Sequence, residues 1–355
     1  MNVVRLGDVA TIERRGISPD EISDGTTYVG LENIISGGQL DGVGPVSNGD
    51  LASTKFKFED THILYGKLRP YLAKIAVPTF SGICSTDILP IRVGAHADKM
   101  YVTHYLRQQS VVDQVNSMAT GANLPRISPK ALESVELPLP HLDEQRRIAE
   151  ILDKADELRT KRRQALAHLD TLDRSLYNDL LAATTNEMAP LSELLNVTSG
   201  KFLPAKNMAT NGVHPVYGGN GVNGYHDDYL LHQPTIVIGR VGAYCGAVHL
   251  APAKSWVTDN ALIVRLVRND LDIRFMTSAL QAACLNQYAS QSGQPLISGS
   301  RIYNVRIPVP PRELQQTFGT RVAAFERLKE THRKHLAELD ALFASLQHRA
   351  FKGEL

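Results

Sequence analysis

The chain repeats itself. Shifted by 170 residues, the segment 125–181 meets the same residue at 16 of 57 positions without a gap. Pro125, Ile127, Ser128, Val135, Pro138, Pro140, Gln145, Leu158, Arg163, Leu166, Ala167, Leu169, Asp170, Leu172, Ser175 and Leu176 recur as Pro295, Ile297, Ser298, Val305, Pro308, Pro310, Gln315, Leu328, Arg333, Leu336, Ala337, Leu339, Asp340, Leu342, Ser345 and Leu346. A repeat of this length constrains the fold before any single motif does, because each copy must build the same unit. The flanking segments repeat the order more loosely. Pro190-Leu191-Ser192-Glu193-Leu194-Leu195 answers Val4–Ala10, Thr235–Gly242 answers His62–Arg69, Trp256–Leu262 answers Cys84–Ile88, and Ser292-Gly293 answers Thr120-Gly121.

Four segments follow: a first globular domain over 1–140, a helix over 141–183, a second domain over 184–310 and a second helix over 311–355. The domains read as mixed α/β. Strands are expected at Thr27–Leu31, His62–Arg69 and Ser81–Val93, a turn at Ile34–Gly38, and a helix over Lys99–Met118. Ser128 before Pro129 is a helix start, with a side-chain acceptor at the cap and a ring at the first helical position. The expected fold is two α/β domains in tandem, separated by two long helices that pair as an antiparallel coiled coil.

The helices carry apolar residues at alternating steps of three and four, the spacing of a coiled-coil seam. In the first the seam reads Ile148, Ile151, Ala155, Leu158, Arg162, Ala165, Leu169, Leu172, Leu176. In the second it reads Phe318, Arg321, Phe325, Leu328, His332, His335, Leu339, Leu342, Leu346. Leu152, Leu166, Val322 and Leu336 widen the stripe. Each helix should run roughly 50 Å at 1.5 Å per residue. Arg162 and His332 interrupt both seams at matching positions, either fixing register or reaching to the edge.

Charge and chemistry narrow the function. The net charge is +1 over 355 residues, with no basic tail. Three scattered cysteines, Cys84, Cys245 and Cys284, fit neither a disulfide framework nor a CxxC metal site, which places the chain in the cytoplasm. No apolar run suits a membrane span. Gly219–Gly224 spells GxGxxG, but neither the helix nor the downstream acid of a dinucleotide site follows, so a glycine-rich hairpin or loop is the better reading. No P-loop, HExxH or nucleophile–base spacing appears. A chain this long without a catalytic constellation reads as a binding protein, with no catalytic residues, no metal and no cofactor of its own.

Several residues have chemistry suited to nucleic acid. Lys67, Arg69 and Arg240 are cations beside glycine near strand ends, able to meet guanine or phosphate, or to be plain surface charges. Asn220, Asn223, Tyr225 and His226 lie in the glycine-rich stretch, where asparagine serves a turn as readily as it reads adenine. Asn123 and Arg126 share the loop after the first domain's last long helix, with Gln294 and Leu296 at the corresponding place in the second. Trp256, the single tryptophan, is a core residue or a stacking platform.

Pro138-Leu139-Pro140-His141-Leu142-Asp143-Glu144-Gln145-Arg146-Arg147-Ile148 resembles the start of the conserved helix in specificity (S) subunits of type I restriction–modification enzymes. Ala350–Leu355 resembles their usual ending. Tyr217–Gly221, Gly239–Gly242 and Trp256–Ala261 are similar to their target-recognition domains, and Tyr28–Ile34 and Leu64–Pro70 to another variant. The junction Pro310-Pro311-Arg312-Glu313-Leu314-Gln315 departs by lacking the Arg-Arg-Ile run. The resemblance implies a non-catalytic subunit whose two domains each read half of a split double-stranded DNA target. The helices would set the gap and dock two methyltransferase (modification) subunits, and a restriction subunit would join. S-adenosylmethionine, ATP and magnesium would belong to those partners alone. The alternative from the residues themselves is a coiled-coil scaffold with two protein- or RNA-binding domains.

Overall fold

The computed structural model describes residues 2–35, 37–183, 187–290 and 293–355. Ser36 of the expected Ile34–Gly38 turn and Ser292 of the Ser292-Gly293 match lie outside them. The chain divides into two units, Met1–Arg162 with His335–Leu355, and Arg163–Lys334. Both are mixed α/β, and each contains parts of the two long helices, Leu142–Ala182 and Arg312–Lys352. At 41 residues apiece these helices run to about 60 Å.

The first unit closes its chain with an antiparallel pair, Asn2–Arg5 on Glu136–Leu139. A four-stranded sheet follows in the order Ala10–Ile12, Ile88–Val93, His62–Gly66, Ile75–Ala76, and a five-stranded sheet carries Gly82–Cys84 at its centre. The apolar run Ser81–Val93 is therefore two strands in different sheets. Polar Ser85-Thr86-Asp87 splits it, because the chain turns there and Ile88 N–H bonds the Ser85 carbonyl (2.9 Å). The helix expected over Lys99–Met118 is likewise two, Lys99–Leu106 and Gln109–Ser117. Arg107 ends the first, donating its guanidinium to the Ile75 carbonyl at 2.7 Å. Ser128 caps as its sequence requires, its hydroxyl accepting from Ala131 N–H at 3.1 Å.

The second unit repeats the plan. Glu187–Pro190 pairs with Arg306–Val309, and a four-stranded sheet runs Leu195–Ser199, Ala261–Leu266, Thr235–Gly239, Val248–Ala251. Its second sheet is smaller, with Gly221–His226, His214–Gly218 and Trp256–Val257. Each core takes in the start of the helix that follows its domain: Ile148 and Leu152 join Leu6, Ile91 and Tyr101, while Phe318 and Val322 join Ile238 and Phe275.

Within each unit the helices run antiparallel. In the first, Arg147 reaches the Leu355 carbonyl (2.7 Å) and Arg159 reaches Asp340 (2.6 Å). In the second, Lys329 meets Asp170 (3.0 Å) and Asp173, and the Tyr177 and Phe318 rings lie 6.1 Å apart. The observed seam corrects the sequence reading by one heptad position at every second step. Ile148, Ala155, Leu169 and Phe318 are buried, and Leu176, Phe325, Leu339 and Leu346 half-buried. Leu158, Leu172, Leu328 and Leu342 are instead exposed, at 53%, 48%, 44% and 51%. Arg321 and His335 are exposed too, and Ile151 is half-buried. The inward places belong to Leu152, Arg159, Leu166 and Asp173, and to Val322, Lys329, Leu336 and Phe343. An apolar count favours the leucines, but three of the inward side chains are charged, and Arg159 and Lys329 are met by acids on the other helix.

Candidate functional site

In the first unit three of the suggested cations converge. Lys67 and Leu68 leave the strand His62–Gly66 and run beside the loop 120–127. Lys67 N–H donates to the Asp87 carbonyl (2.8 Å), Ile127 N–H to the Lys67 carbonyl (3.0 Å), and Arg69 N–H to the Pro125 carbonyl (2.7 Å). The Asp87 carboxylate holds Lys67 Nζ at 3.7 Å and Arg126 Nε at 3.2 Å through the same oxygen. Arg69 and Arg126 are exposed and Lys67 half-buried. Asn123 is exposed in the same loop, three residues from Arg126.

In the second unit Arg240 holds the corresponding place. Its N–H donates to the Asn260 carbonyl (2.9 Å), and its guanidinium to Ser199 Oγ (3.0 Å). The GxGxxG stretch is a β-hairpin: His214–Gly218 and Gly221–His226 pair across the turn Gly219-Asn220, with Gly221 at φ 91°. The turn packs against the Arg240 strand so closely that a Cβ on Gly239 would stand 2.6 Å from the Gly219 carbonyl oxygen. Close backbone approach is what glycine serves here. The Gly219-Asn220 turn therefore lies against the strand end that leads into Arg240, while Asn223, Tyr225 and His226 continue along the second strand. Asn223 is exposed, and Tyr225 and His226 half-buried. The His226 ring meets Trp256 edge-on at 5.1 Å, and Trp256 Nε1 donates to the Lys201 carbonyl (3.2 Å), so the indole is tied into the fold.

Sequence reasoning missed Asp87, Asn260 and Ser199. The signal for the first two was present, a polar break in an otherwise apolar run in both copies. The match of Thr120 also moves: Thr120 N–H donates to the Arg126 carbonyl (3.0 Å) and Ser290 N–H to the Leu296 carbonyl (3.0 Å), so Ser290 is the counterpart. Among the described residues, no group of three or more His, Cys, Asp or Glu is placed to hold a metal, and no helix is long and apolar enough to cross a membrane.

Comparison with known proteins gives this arrangement a family. The type I restriction modification DNA specificity domain matches twice, over residues 1–168 and 184–341. The chain is 29% identical over 178 residues to the type I restriction enzyme EcoDI specificity subunit of Escherichia coli, covering 49% of this chain and 39% of that one. It is 28% identical over 183 residues to the EcoprrI specificity subunit of the same organism, covering 48% and 45%. These matches thus span less than half the length of those relatives. The fold is shared with the type I restriction-modification S subunit from M. genitalium, at a TM-score of 0.68 and 18% identity, over 99% of this chain and 96% of that one. Two matches to one domain model, on two units of one plan, place this chain in the type I restriction modification DNA specificity domain family, with two such domains in tandem.

Proposed function

We propose that the chain is the DNA-reading subunit of a type I restriction–modification complex and is itself non-catalytic. The observation that carries the reading is the duplication of a cation-bearing loop, Lys67–Arg126 in one unit and Arg240 in the other, on a repeated fold. Two diverged copies of one reading surface suit a target whose halves differ in sequence. The segments 1–140 and 184–310 would each take one half, with Lys67, Arg69, Asn123 and Arg126 in the first and Asn220, Asn223, Tyr225, His226 and Arg240 in the second. The helices 141–183 and 311–355 would fix the unread gap. A net charge of +1 leaves much of the phosphate neutralisation to partner chains. Co-expression with cognate modification subunits, followed by sequencing of methylated DNA, tests the reading. It expects a bipartite motif, and failure to form the complex or to yield any such motif overturns it. Arg240→Ala is expected to relax one half only, by about 1–3 kcal/mol of discrimination; equal loss at both halves would contradict the assignment.

Two modification subunits would dock on the outer face of the helices. Leu158 and Leu342 in the first unit, and Leu172 and Leu328 in the second, are exposed yet identical across the repeat. Each stands one residue before a seam residue that meets its counterpart, Arg159 with Phe343 and Asp173 with Lys329. Each unit therefore presents one leucine pair at a matching level, an arrangement suited to two copies of one partner. Leu158→Glu with Leu342→Glu should remove one modification subunit and leave the other, read by native mass spectrometry. Retention of both subunits would discard these leucines as anchors.

A further inference from the structure

The two reading loops are built on one hydrogen-bonded frame with different side chains. The Lys67–Asp87, Ile127–Lys67 and Arg69–Pro125 backbone bonds have their equals in Arg240–Asn260 (2.9 Å), Ile297–Arg240 (2.9 Å) and Gly242–Pro295 (3.1 Å). Leu68 bridges Arg126 as Val241 bridges Leu296. Four positions thus correspond: Lys67 with Arg240, Arg69 with Gly242, Asp87 with Asn260, and Arg126 with Leu296.

One of these positions has a backbone that argues for itself. Gly242 has φ 79°, and a Cβ placed there would meet nothing within 4 Å. The frame therefore demands a left-handed residue whose side chain enters open space. Glycine meets that demand cheaply, whereas the first unit holds Arg69 at φ 52°. A left-handed arginine costs on the order of 1–3 kcal/mol; the frame imposes it here, as it does at Gly242, and such outliers cluster at ligand-contact sites. Packing gives the side chain no task, since Arg69 is exposed and makes no side-chain hydrogen bond or ion pair among the described residues.

Resting on the reading above, we infer that these four frame positions are the base-reading head of each domain. Arg69 enters the DNA groove, and Asp87 aims Lys67 and Arg126 by holding both on one carboxylate oxygen. The second unit, with Arg240, Gly242, Asn260 and Leu296, presents a single cation at the same four places. Its half-site is read with fewer charge-assisted contacts and more by shape and neutral hydrogen bonds.

The decisive variant is Arg69→Gly, because glycine is what the same frame carries in the second unit and the fold is not at risk. In the complete complex with its modification subunits, methylated-DNA sequencing should show the wild-type motif with one half degraded, by about tenfold or more at one position or more. The other half should be unchanged, and the melting temperature equal or higher. Asp87→Asn should degrade the same half. A wild-type motif left intact in both variants overturns the inference alone. Uniform weakening across all sequences, with a salt slope shallower by about one, would make Arg69 a phosphate contact and also overturn it. No motif from the wild-type complex would overturn the underlying reading together with the inference.

Discussion

Gln145→Ala lowers the stability of the first unit by about 3 kcal/mol, the summed effect of several buried polar groups losing their partner. Gln145 is fully buried at the start of the first long helix. Its Nε2 donates to the Pro140 (2.9 Å) and His96 (3.1 Å) carbonyls, and its Oε1 accepts from Asp98 N–H (2.8 Å). Asp98 in turn caps the helix Lys99–Leu106 by accepting from Tyr101 N–H. One amide therefore ties the proline turn, the long helix and the domain helix together. Gln315 repeats the joint in the second unit, donating to the Pro310 carbonyl (2.8 Å) and accepting from Asp272 N–H (2.9 Å). With two partners rather than three, Gln315→Ala should cost about 2 kcal/mol. Gln145→Glu should be no milder, since a carboxylate cannot donate to the two carbonyls it would face. Denaturant unfolding gives the magnitude, and hydrogen exchange at Lys99–Leu106 against Ile273–Ala282 assigns it to a unit. Equal loss of protection in both units would refute the joint as a local device.

These glutamines show what the sequence could and could not reveal. The repeat picked out Gln145 and Gln315 as identical, but not why, because the partners are backbone groups of residues far along the chain. The Ser128 cap was legible, since its cause is local, whereas the break that splits Lys99–Met118 was not. The phase of the seam was not. Leu158, Leu172, Leu328 and Leu342 satisfy an apolar count, whereas Arg159, Asp173 and Lys329 become seam residues only through an opposite charge or a ring on the other helix. The loops proposed to read DNA were half legible. Cations at glycine-bearing strand ends drew attention to Lys67, Arg69 and Arg240, but Asp87 is an ordinary surface acid until folding sets it between Lys67 and Arg126. The GxGxxG spelling resolved in favour of the hairpin, because two of its glycines lie on the paired strands and Gly219 packs against Gly239.

The charged seam itself yields the second large effect. Lys329 is only 4% exposed and is hydrogen-bonded to Asp170 (3.0 Å), Asp173 and Glu326 (3.1 Å). Burial opposes its ammonium, but the bonds to Asp173, Asp170 and Glu326 outweigh burial and hold its pKa above the ordinary lysine value. Lys329→Ala should therefore cost about 3 kcal/mol, because it leaves three carboxylates around an unfilled seam position. Arg159 is its counterpart by the repeat. It meets Asp156 (2.7 Å) and Asp340 (2.6 Å), which correspond to Glu326 and Asp170, but Phe343 stands where the other site has Asp173. The Arg159 guanidinium lies 4.2 Å from the Phe343 ring centroid, within the range of a favourable cation–ring contact. The two sites are alternative solutions to one seam position, acid-rich in one unit and aromatic in the other. Lys329→Arg with Asp173→Phe would install the first unit's solution in the second. That double variant should be more stable than Lys329→Ala, by roughly 2 kcal/mol, since no acid loses its cation and the added ring supports the guanidinium. Stability no better than that of Lys329→Ala would mean that each cluster depends on its own surroundings and cannot be exchanged with its repeat.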